Sequence, residues 1–341
     1  MADDGLEALL GSNQRLQEAD FSGLLDGLQE GAKDLGEPGL YLLLLLVAIT
    51  LTRWVPYRYW RYLHRVMPLI YLALTAHAVL LAPLVWWQQP SGWLMALLAA
   101  GGSVASLQSL SGQIGRSRCY QGLVQAVRQT STSLTEVVCE MSQRWPGHRA
   151  GQFALVTFER GEGAHPFSLS SADNASGRVN FQIKALGDYT RKLPQRLSRG
   201  QAVTLEGPYG RFDPDRGRRN AQQVWVAGGI GVTPFLAALE KRLVDADPAR
   251  PAVTLHYCTA GAADDPMVAR LQRLTEQLPE VSLHLHDSRQ GQRLTADRLR
   301  LHDRRVDLWF CGPKGLASAL RSGLKQRSLS LRFHQESYQF R

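Results

Sequence analysis

The chain has 341 residues, of which 44% are hydrophobic and 20% charged, and its formal net charge is +9. Its length suits two or three domains, and a basic balance suits phosphate-bearing ligands, an anionic membrane face or nucleic acid. No basic run is interleaved with aromatics, so nucleic acid is the weakest of the three and is not expected as a partner.

Charge is segregated along the chain. Residues 1–37 hold nine acids against Arg15 and Lys33, and residues 38–115 hold no acid and only Arg53, Arg58, Arg61 and Arg65. Residues 116–341 are left with +12. The acidic opening lacks a basic stretch followed by an apolar core, so it does not read as a secretory signal. It reads instead as a non-cytoplasmic loop of a longer protein.

Three apolar stretches follow. Pro38–Thr52 is uncharged and is extended past Arg53 by Trp54 and Val55, Val66–Gln89 has 24 uncharged residues, and Ser91–Ile114 has another 24. Their lengths predict three transmembrane helices over residues 38–115, and argue against buried core helices. The arginines between the first two stretches, with Arg116 and Arg118 after the third, place that loop and the C-terminal part in the cytoplasm. Cys119, Cys139, Cys258 and Cys311 are scattered with no CxxC pair, which suits free thiols in a reducing compartment.

His64 and His77 stand thirteen residues apart in and beside the second stretch. An imidazole inside a bilayer is costly and marks function, although structural histidines bonded to carbonyls or tyrosines also occur. On one helix the two would be on the order of 20 Å apart at ~1.5 Å per residue, too far to share one iron. Thirteen steps leave them on different sides of an ideal helix, and Pro68 is expected to break a backbone bond and re-aim the His64 ring.

From about Cys119 the pattern changes to short alternating segments, "SLTEVVCEM", "GQFALVTF", "VNFQIKAL" and "QAVTLEG", which predict a small antiparallel barrel. After Ala221, strands and helices alternate: "QQVWVAGG", "PFLAALEKRL", "AVTLHYC", "VSLHLH" and "VDLWFCG". That pattern predicts a doubly wound parallel sheet. "VWVAGGIGVTPFLAAL" sets Gly228, Gly229 and Gly231 where strand becomes helix, a turn that lets a pyrophosphate approach backbone N–H groups. Taken alone, such a turn serves geometry as often as ligand binding.

Its companions carry more. "AHPFSLSS", "KALGDYT", "EGPYGRF", "GGIGVTPF", "CGP" and "HQESYQFR" occur in one order, and that order resembles the ferredoxin–NADP reductase superfamily, in its ferric reductase and NADPH oxidase branch. The resemblance covers roughly residues 120–341 and, in part, residues 38–115. It implies a multi-domain membrane protein with an acidic segment over 1–37 and a partial haem domain of transmembrane helices over 38–115. An FAD-binding β-barrel over 116–215 and an α/β NAD(P)-binding domain over 216–341 would follow.

The same resemblance implies roles for single residues. His165, Pro166, Phe167 and Ser168 line the flavin, with Phe167 on the ring and Ser168 near N5; many relatives have Arg where His165 stands. Lys184 opens the segment in which Gly187, Asp188, Tyr189 and Thr190 cradle the FAD pyrophosphate. Gly228, Gly229, Gly231, Thr233 and Pro234 belong to the nucleotide pyrophosphate site, while Cys311, Gly312 and Pro313 form the loop beside the nicotinamide. Phe340 is the terminal aromatic that shields the flavin, with Tyr338 as a nearby alternative. Ser288, Arg289 and Arg293 favour the 2′-phosphate of NADPH over NADH, and equally fit a solvated loop. The catalytic set is then Ser168, Cys311 and Phe340.

The implied activity passes hydride from NADPH to FAD, then single electrons through haem b at His64 and His77 to ferric iron, oxygen or a quinone. The relatives pair this helix with a second bearing two more histidines. Here no other His precedes His148, so each iron lacks a second ligand unless a partner subunit or an upstream segment supplies it. The alternative is a membrane-anchored FAD reductase without haem that feeds a separate partner protein. A third reading is a membrane interaction module with a vestigial flavin site.

Overall fold

A computed structural model describes residues 24–51, 63–142, 144–159, 161–245, 247, 249–325, 327 and 330–336. Residues 1–23, Arg53, Trp54, Val55, Arg58, Arg61, Tyr338 and Phe340, all used above, lie outside the described residues. The chain divides into two units, Met1–Ser117 and Arg118–Arg341.

The first unit contains α1 (Leu24–Leu51), α2 (Met67–Leu81) and α3 (Pro90–Leu110). Gly31–Leu51 and Pro90–Leu110, with 21 residues each, are long and apolar enough to cross a membrane. The middle stretch departs from expectation. Its 24 uncharged residues do not form one helix, because α2 has only 15, about 22 Å at ~1.5 Å per residue, against a hydrocarbon core of ~30 Å. Pro83 is the cause. It forces Ala82 out of the helical region, to φ −67° and ψ 127°, and the chain continues as a 3₁₀ turn over Leu84–Gln88.

The expected shared helix for the two histidines is also corrected. His64 ends a short helical piece before a turn at residues 65–66, so it lies outside α2, while His77 lies inside it. Pro68 sits in the first turn of α2, where a missing N–H removes no helical bond. It starts a helix and does not kink one. His77 Nδ1 lies 2.6 Å from the Ala32 carbonyl of α1, and must donate there because a carbonyl only accepts. On the other side of α2, the Tyr71 hydroxyl donates to the Leu98 carbonyl of α3 at 2.9 Å. Both side chains therefore tie α2 to its neighbours.

The second unit begins with a six-stranded antiparallel sheet: β1 (Cys119–Ser131), β2 (Leu134–Met141), β3 (Phe153–Thr157), β4 (His165–Ser168), β5 (Arg178–Lys184) and β6 (Ala202–Tyr209). The strand order is β4-β3-β6-β1-β2-β5, and a bridge between Leu169 and Phe181 joins the two edges, curling the sheet on itself. Alternation in "VNFQIK" appears as burial of Val179, Phe181 and Ile183 against Leu169 and Leu205. Helix α4 (Asp188–Arg196) follows β5 and buries Leu193 in the same core.

Five parallel strands make the second sheet: β7 (Gln222–Gly228), β8 (Val253–Thr259), β9 (Val281–Asp287), β10 (Arg305–Cys311) and β11 (Ser330–Glu336). Helices α5 (Thr233–Asp245), α6 (Pro266–Thr275) and α7 (Lys314–Lys325) connect strands. The order β11-β10-β7-β8-β9 reverses direction between β7 and β10, and open sheets of this type bind ligands at that reversal. Both faces are covered. Trp225, Leu255 and Tyr257 pack with Phe235 and Leu239 of α5 on one side, and Val224, Val226 and Leu308 pack with Leu320 and Leu324 of α7 on the other. The antiparallel-then-parallel order matches the sequence expectation, as does the near-continuous apolar run of each parallel strand.

Phe235 is fully buried and meets Phe212 edge-on at 5.7 Å and Trp225 at 5.5 Å. Phe235→Ala is expected to lower stability by about 3–5 kcal/mol, read from the denaturation midpoint by tryptophan fluorescence.

Candidate flavin and nucleotide site

At the reversal, the turns leaving β7 and β10 touch backbone to backbone. A Cβ on Gly228 would lie 2.6 Å from Pro313 Cδ and 3.3 Å from Gly312 Cα, and one on Gly231 would collide with the Cys311 carbonyl. Gly229 has φ +54°, a left-handed conformation that favours glycine. These glycines therefore have a packing reason independent of any ligand. Beyond them, Thr233 opens α5 and its hydroxyl donates to the Ile230 carbonyl at 3.1 Å, with Pro234 next in the first turn. The first-turn N–H groups of a helix have no intrahelical partner and favour an anion. Lys184, at the end of β5, brings its Nζ within 3.9 Å of the point where a Gly229 Cβ would stand. An ammonium from one sheet thus faces the glycine turn of the other, which packing alone does not call for.

Beside this turn, Cys311 is fully buried and its thiol donates to the Glu336 carbonyl at 3.7 Å. Parallel pairing sets Cys311 directly against Glu336, and burial pushes the Glu336 carboxyl above its usual range. Glu336 sits in the quoted terminal segment, yet sequence reasoning did not single it out. Only strand register brings it to Cys311, so no local signal could have found it.

Two strands away, β9 ends in Asp287. Its carboxylate accepts from the N–H groups of Gly261, Ala262 and Arg289, each at 2.9 Å. The Ala262 bond leads in holding this carboxyl below its ordinary pKa, with Arg289 and Gly261 adding to it against the cost of burial. Asp287 is therefore committed to the turns around it and is not offered to a ribose hydroxyl. The Ser288 hydroxyl donates to the Thr259 carbonyl at 3.2 Å, and Arg289 pairs with Asp264 at 3.6 Å on the surface. Arg293 is exposed nearby in sequence.

In the antiparallel sheet, two motifs separated in sequence meet. His165 stacks on Tyr189 with ring centroids 4.4 Å apart and planes 13° apart. Phe167 lies 6.4 Å from His165 and 6.3 Å from both Phe158 and Phe181, while Ser168 is buried. Pro166 lies between them on β4. The Thr190 hydroxyl accepts from the N–H groups of Leu186 and Gly187 at 3.0 Å each and donates to the Gly187 carbonyl. It shapes the loop at the start of α4, where Gly187, exposed Asp188 and Tyr189 also lie. Burial, reinforced by Glu159 and Glu162, raises the Tyr189 phenol. An uncharged phenol against an imidazole makes a flat, partly apolar wall suited to an aromatic ligand.

The structure thus joins His165 to Tyr189, Lys184 to the Gly229 turn, and Gly228 and Gly231 to Cys311, Gly312 and Pro313. Ser288, Arg289 and Arg293 stand apart at β9. The His77 ring lies against Gly36 of α1 and donates through Nδ1 to Ala32, a bond that fixes the tautomer with its lone pair on Nε2, the one also used by ligating imidazoles. His64 lies outside α2, so the two rings are not set by one helix. Among the described residues no group of three or more His, Cys, Asp or Glu could hold a metal ion.

Comparison with known proteins bears on this geometry. Residues 120–213 match the FAD-binding domain family. The chain carries an FAD-binding domain of the ferredoxin-reductase type. It is similar to the carnitine monooxygenase reductase subunit of Escherichia coli (strain K12), at 28% identity over 52% of this chain and 54% of that protein. It is also similar to ferric reduction oxidase 2 of Arabidopsis thaliana, at 38% identity over 22% of this chain and 11% of that protein. The chain thus spans about half the length of the first relative and about a tenth of the second. A ferredoxin NADP+ reductase from Neisseria gonorrhoeae with bound FAD and NADP superposes with a TM-score of 0.54 at 16% identity, covering 65% of this chain and 99% of that one. A flavohemoglobin from Malassezia yamatoensis with bound FAD and haem gives 0.58 at 17%, covering 92% and 96%. At these identities the likeness concerns the fold. Together they give the chain a reductase-type FAD-binding domain over residues 120–213 and a reductase-like fold over its two sheets.

Gly231→Ala must displace the β7 or β10 turn, and is expected to weaken nicotinamide-nucleotide binding at least about tenfold, a cost of ~1.4 kcal/mol, while bound FAD per chain stays unchanged. Nucleotide titration and flavin absorbance measure the two separately. Asp287 supplies stability while its carboxylate is ionised, because its folded pKa lies below the unfolded one. The stability gap between wild type and Asp287→Asn is therefore expected to be constant above about pH 5 and to shrink once pH falls below ~4 and the folded group protonates. Denaturation midpoints across that range test this.

Proposed function

We propose that the protein is a membrane-anchored NAD(P)H-dependent flavin reductase, using NADPH in preference to NADH and delivering electrons to a separate acceptor. The observation that carries the reading is the joining of "HPFS" to "GDYT" through the His165–Tyr189 stack, with Lys184 facing the glycine turn. In this reading residues 116–215 hold FAD and residues 216–341 hold the nucleotide. His165, Pro166, Phe167 and Ser168 bound the flavin, and Gly187, Asp188, Tyr189 and Thr190 bound its pyrophosphate. Lys184, Gly229, Gly231, Thr233 and Pro234 receive the nucleotide pyrophosphate. Cys311, Gly312 and Pro313 form the floor under the nicotinamide, Ser288, Arg289 and Arg293 meet the 2′-phosphate, and Phe340 covers the flavin when no nucleotide is present.

Bound FAD would accept a hydride from the nucleotide and release electrons singly, which links a two-electron donor to one-electron acceptors. The protein's part is positional. A fully buried Cys311, its thiol donating to the Glu336 carbonyl, would keep water from the nicotinamide face. Ferric iron, oxygen, a quinone or a partner redox protein are the acceptors that suit such a donor. Exposed Leu42, Leu44 and Leu45 on α1, with Trp93, Leu97 and Leu98 on α3, favour lipid around these helices. The haem-free reading is favoured because, among the described residues, His77 already serves as a helix–helix contact and His64 lies off that helix. Haem delivery would require a different setting of these rings and imidazoles from elsewhere.

The test uses the full chain purified in detergent. It is expected to show flavin absorbance at one per chain, and NADPH is expected to reduce it faster than NADH in stopped flow. Arg289→Met is expected to weaken NADPH by about 1.5–3 kcal/mol, one to two decades, with little effect on NADH. No flavin with excess FAD supplied would sink the reading, and equal behaviour of both nucleotides would remove the role of Arg289. A Soret band at stoichiometric strength would restore the haem alternative.

A further inference from the structure

The antiparallel and parallel sheets of the second unit are joined by a short polar network. Glu240 on α5 sits at its centre. Its Oε2 accepts from the Ala172 backbone N–H at 3.1 Å, in the loop that leaves β4, and its Oε1 receives Arg270 of α6 at 2.6 Å. Arg270 also reaches Glu136 of β2 at 3.5 Å. Glu136 Oε1 in turn accepts from Gln182 of β5 at 3.0 Å, and its other oxygen pairs with Arg128 of β1. The Arg270 and Glu136 side chains are each 16% exposed and Glu240 is 27% exposed.

What matters is which elements this network ties. Gln182 lies two residues before Lys184, the ammonium facing the glycine turn. Ala172 lies four residues after Ser168, at the end of the strand bearing His165 and Phe167. Glu240 lies seven residues along the helix that Thr233 opens, about 10 Å from its N-terminus at ~1.5 Å per residue. Ala172 is thus bonded directly to the helix assigned the nucleotide pyrophosphate in this reading, and Gln182 is linked to it through Glu136 and Arg270. Ion pairs of this exposure contribute little net stability, since desolvation offsets most of their attraction. A network that spans two sheets acts instead on their relative setting.

We propose that Glu240 and Arg270 are positioning residues that hold the flavin-side strands and the nucleotide-side helix in the register hydride transfer requires, an inference that rests on the proposed reductase reading. A displacement of about 1 Å between donor and acceptor costs on the order of a hundredfold in rate, whereas either ligand, bound on its own sheet, would feel it far less.

The experiment is stopped-flow flavin reduction by NADPH with the full chain in detergent, for wild type, Arg270→Met, Glu240→Gln and Arg270→Lys. Arg270→Met is expected to lower the limiting reduction constant by about ten- to a hundredfold, with the NADPH dissociation constant within about twofold and FAD per chain unchanged. The long-wavelength absorbance of stacked nicotinamide and flavin is expected to weaken in parallel. Arg270→Lys, which keeps the charge, is expected to recover part of the rate. If Arg270→Met does not fold, Glu240→Gln decides, because it removes the charge facing Arg270 and keeps an oxygen for Ala172. An unchanged limiting constant in a folded variant overturns the proposal, as does a loss that tracks lost FAD and is not recovered by Arg270→Lys. If wild type itself binds no FAD or is not reduced by NADPH, it is the reductase reading that fails.

Discussion

The contact on which the C-terminal unit depends is the meeting of two backbones at the reversal between β7 and β10. No Cβ fits at Gly228 or Gly231, because Pro313, Gly312 and the Cys311 carbonyl occupy that space. This closeness lets β7 and β10 pair along Gln222–Ala227 and Val306–Cys311 while their connections leave to opposite faces of the sheet. The burial of the start of α5 and of Cys311 accompanies that one approach. A bulkier residue at either glycine would open the turn, with effects on the packing of Trp225 and Phe235 nearby.

The unit is strongly basic, yet its buried charges are matched. Arg242 is almost fully buried, pairs with Asp215 at 2.7 Å and lies over the Trp225 ring at 5.0 Å. Arg218 pairs with Asp307 at 2.7 Å and also donates to the Val306 and Ser330 carbonyls. Both pairs pin the segment between β6 and β7, through Asp215 and Arg218, to the parallel-sheet side. A buried charge without its partner is costly, and each of these arginines would be a liability without its acid. Lys184 at the glycine turn and Arg289 after β9 are by contrast exposed. Structural and ligand-facing charge are thereby separated.

The helical unit shows how strongly prolines shape a uniformly apolar sequence. Pro68 and Pro90 begin helices, and Pro83 ends one. Two full-length apolar helices flank a shorter one, and the shorter helix is the one that carries polar ties, through Tyr71 and His77. The half-buried His77 imidazole is satisfied by a carbonyl, a stable arrangement by itself, so a histidine in an apolar helix need not announce a metal.

Much was decided by sequence alone. Period-two alternation in residues 119–209 and strand–helix alternation after Ala221 set the two sheet types, because burying one face or both leaves a different apolar rhythm. The six ordered motifs marked the segments proposed for flavin and nucleotide through residue types that are locally required: glycines at tight turns and small polar residues at helix starts. Tertiary structure decided what depends on distance between remote residues. Only folding brings Lys184 to Gly229, His165 to Tyr189 and Glu336 to Cys311, and none of these pairings has a local signal. Composition likewise showed that Val66–Gln89 is apolar, but not that Pro83 divides it or that His64 and His77 fall on different pieces. Hydropathy records what a segment can be buried in, and backbone geometry settles how far the helix runs.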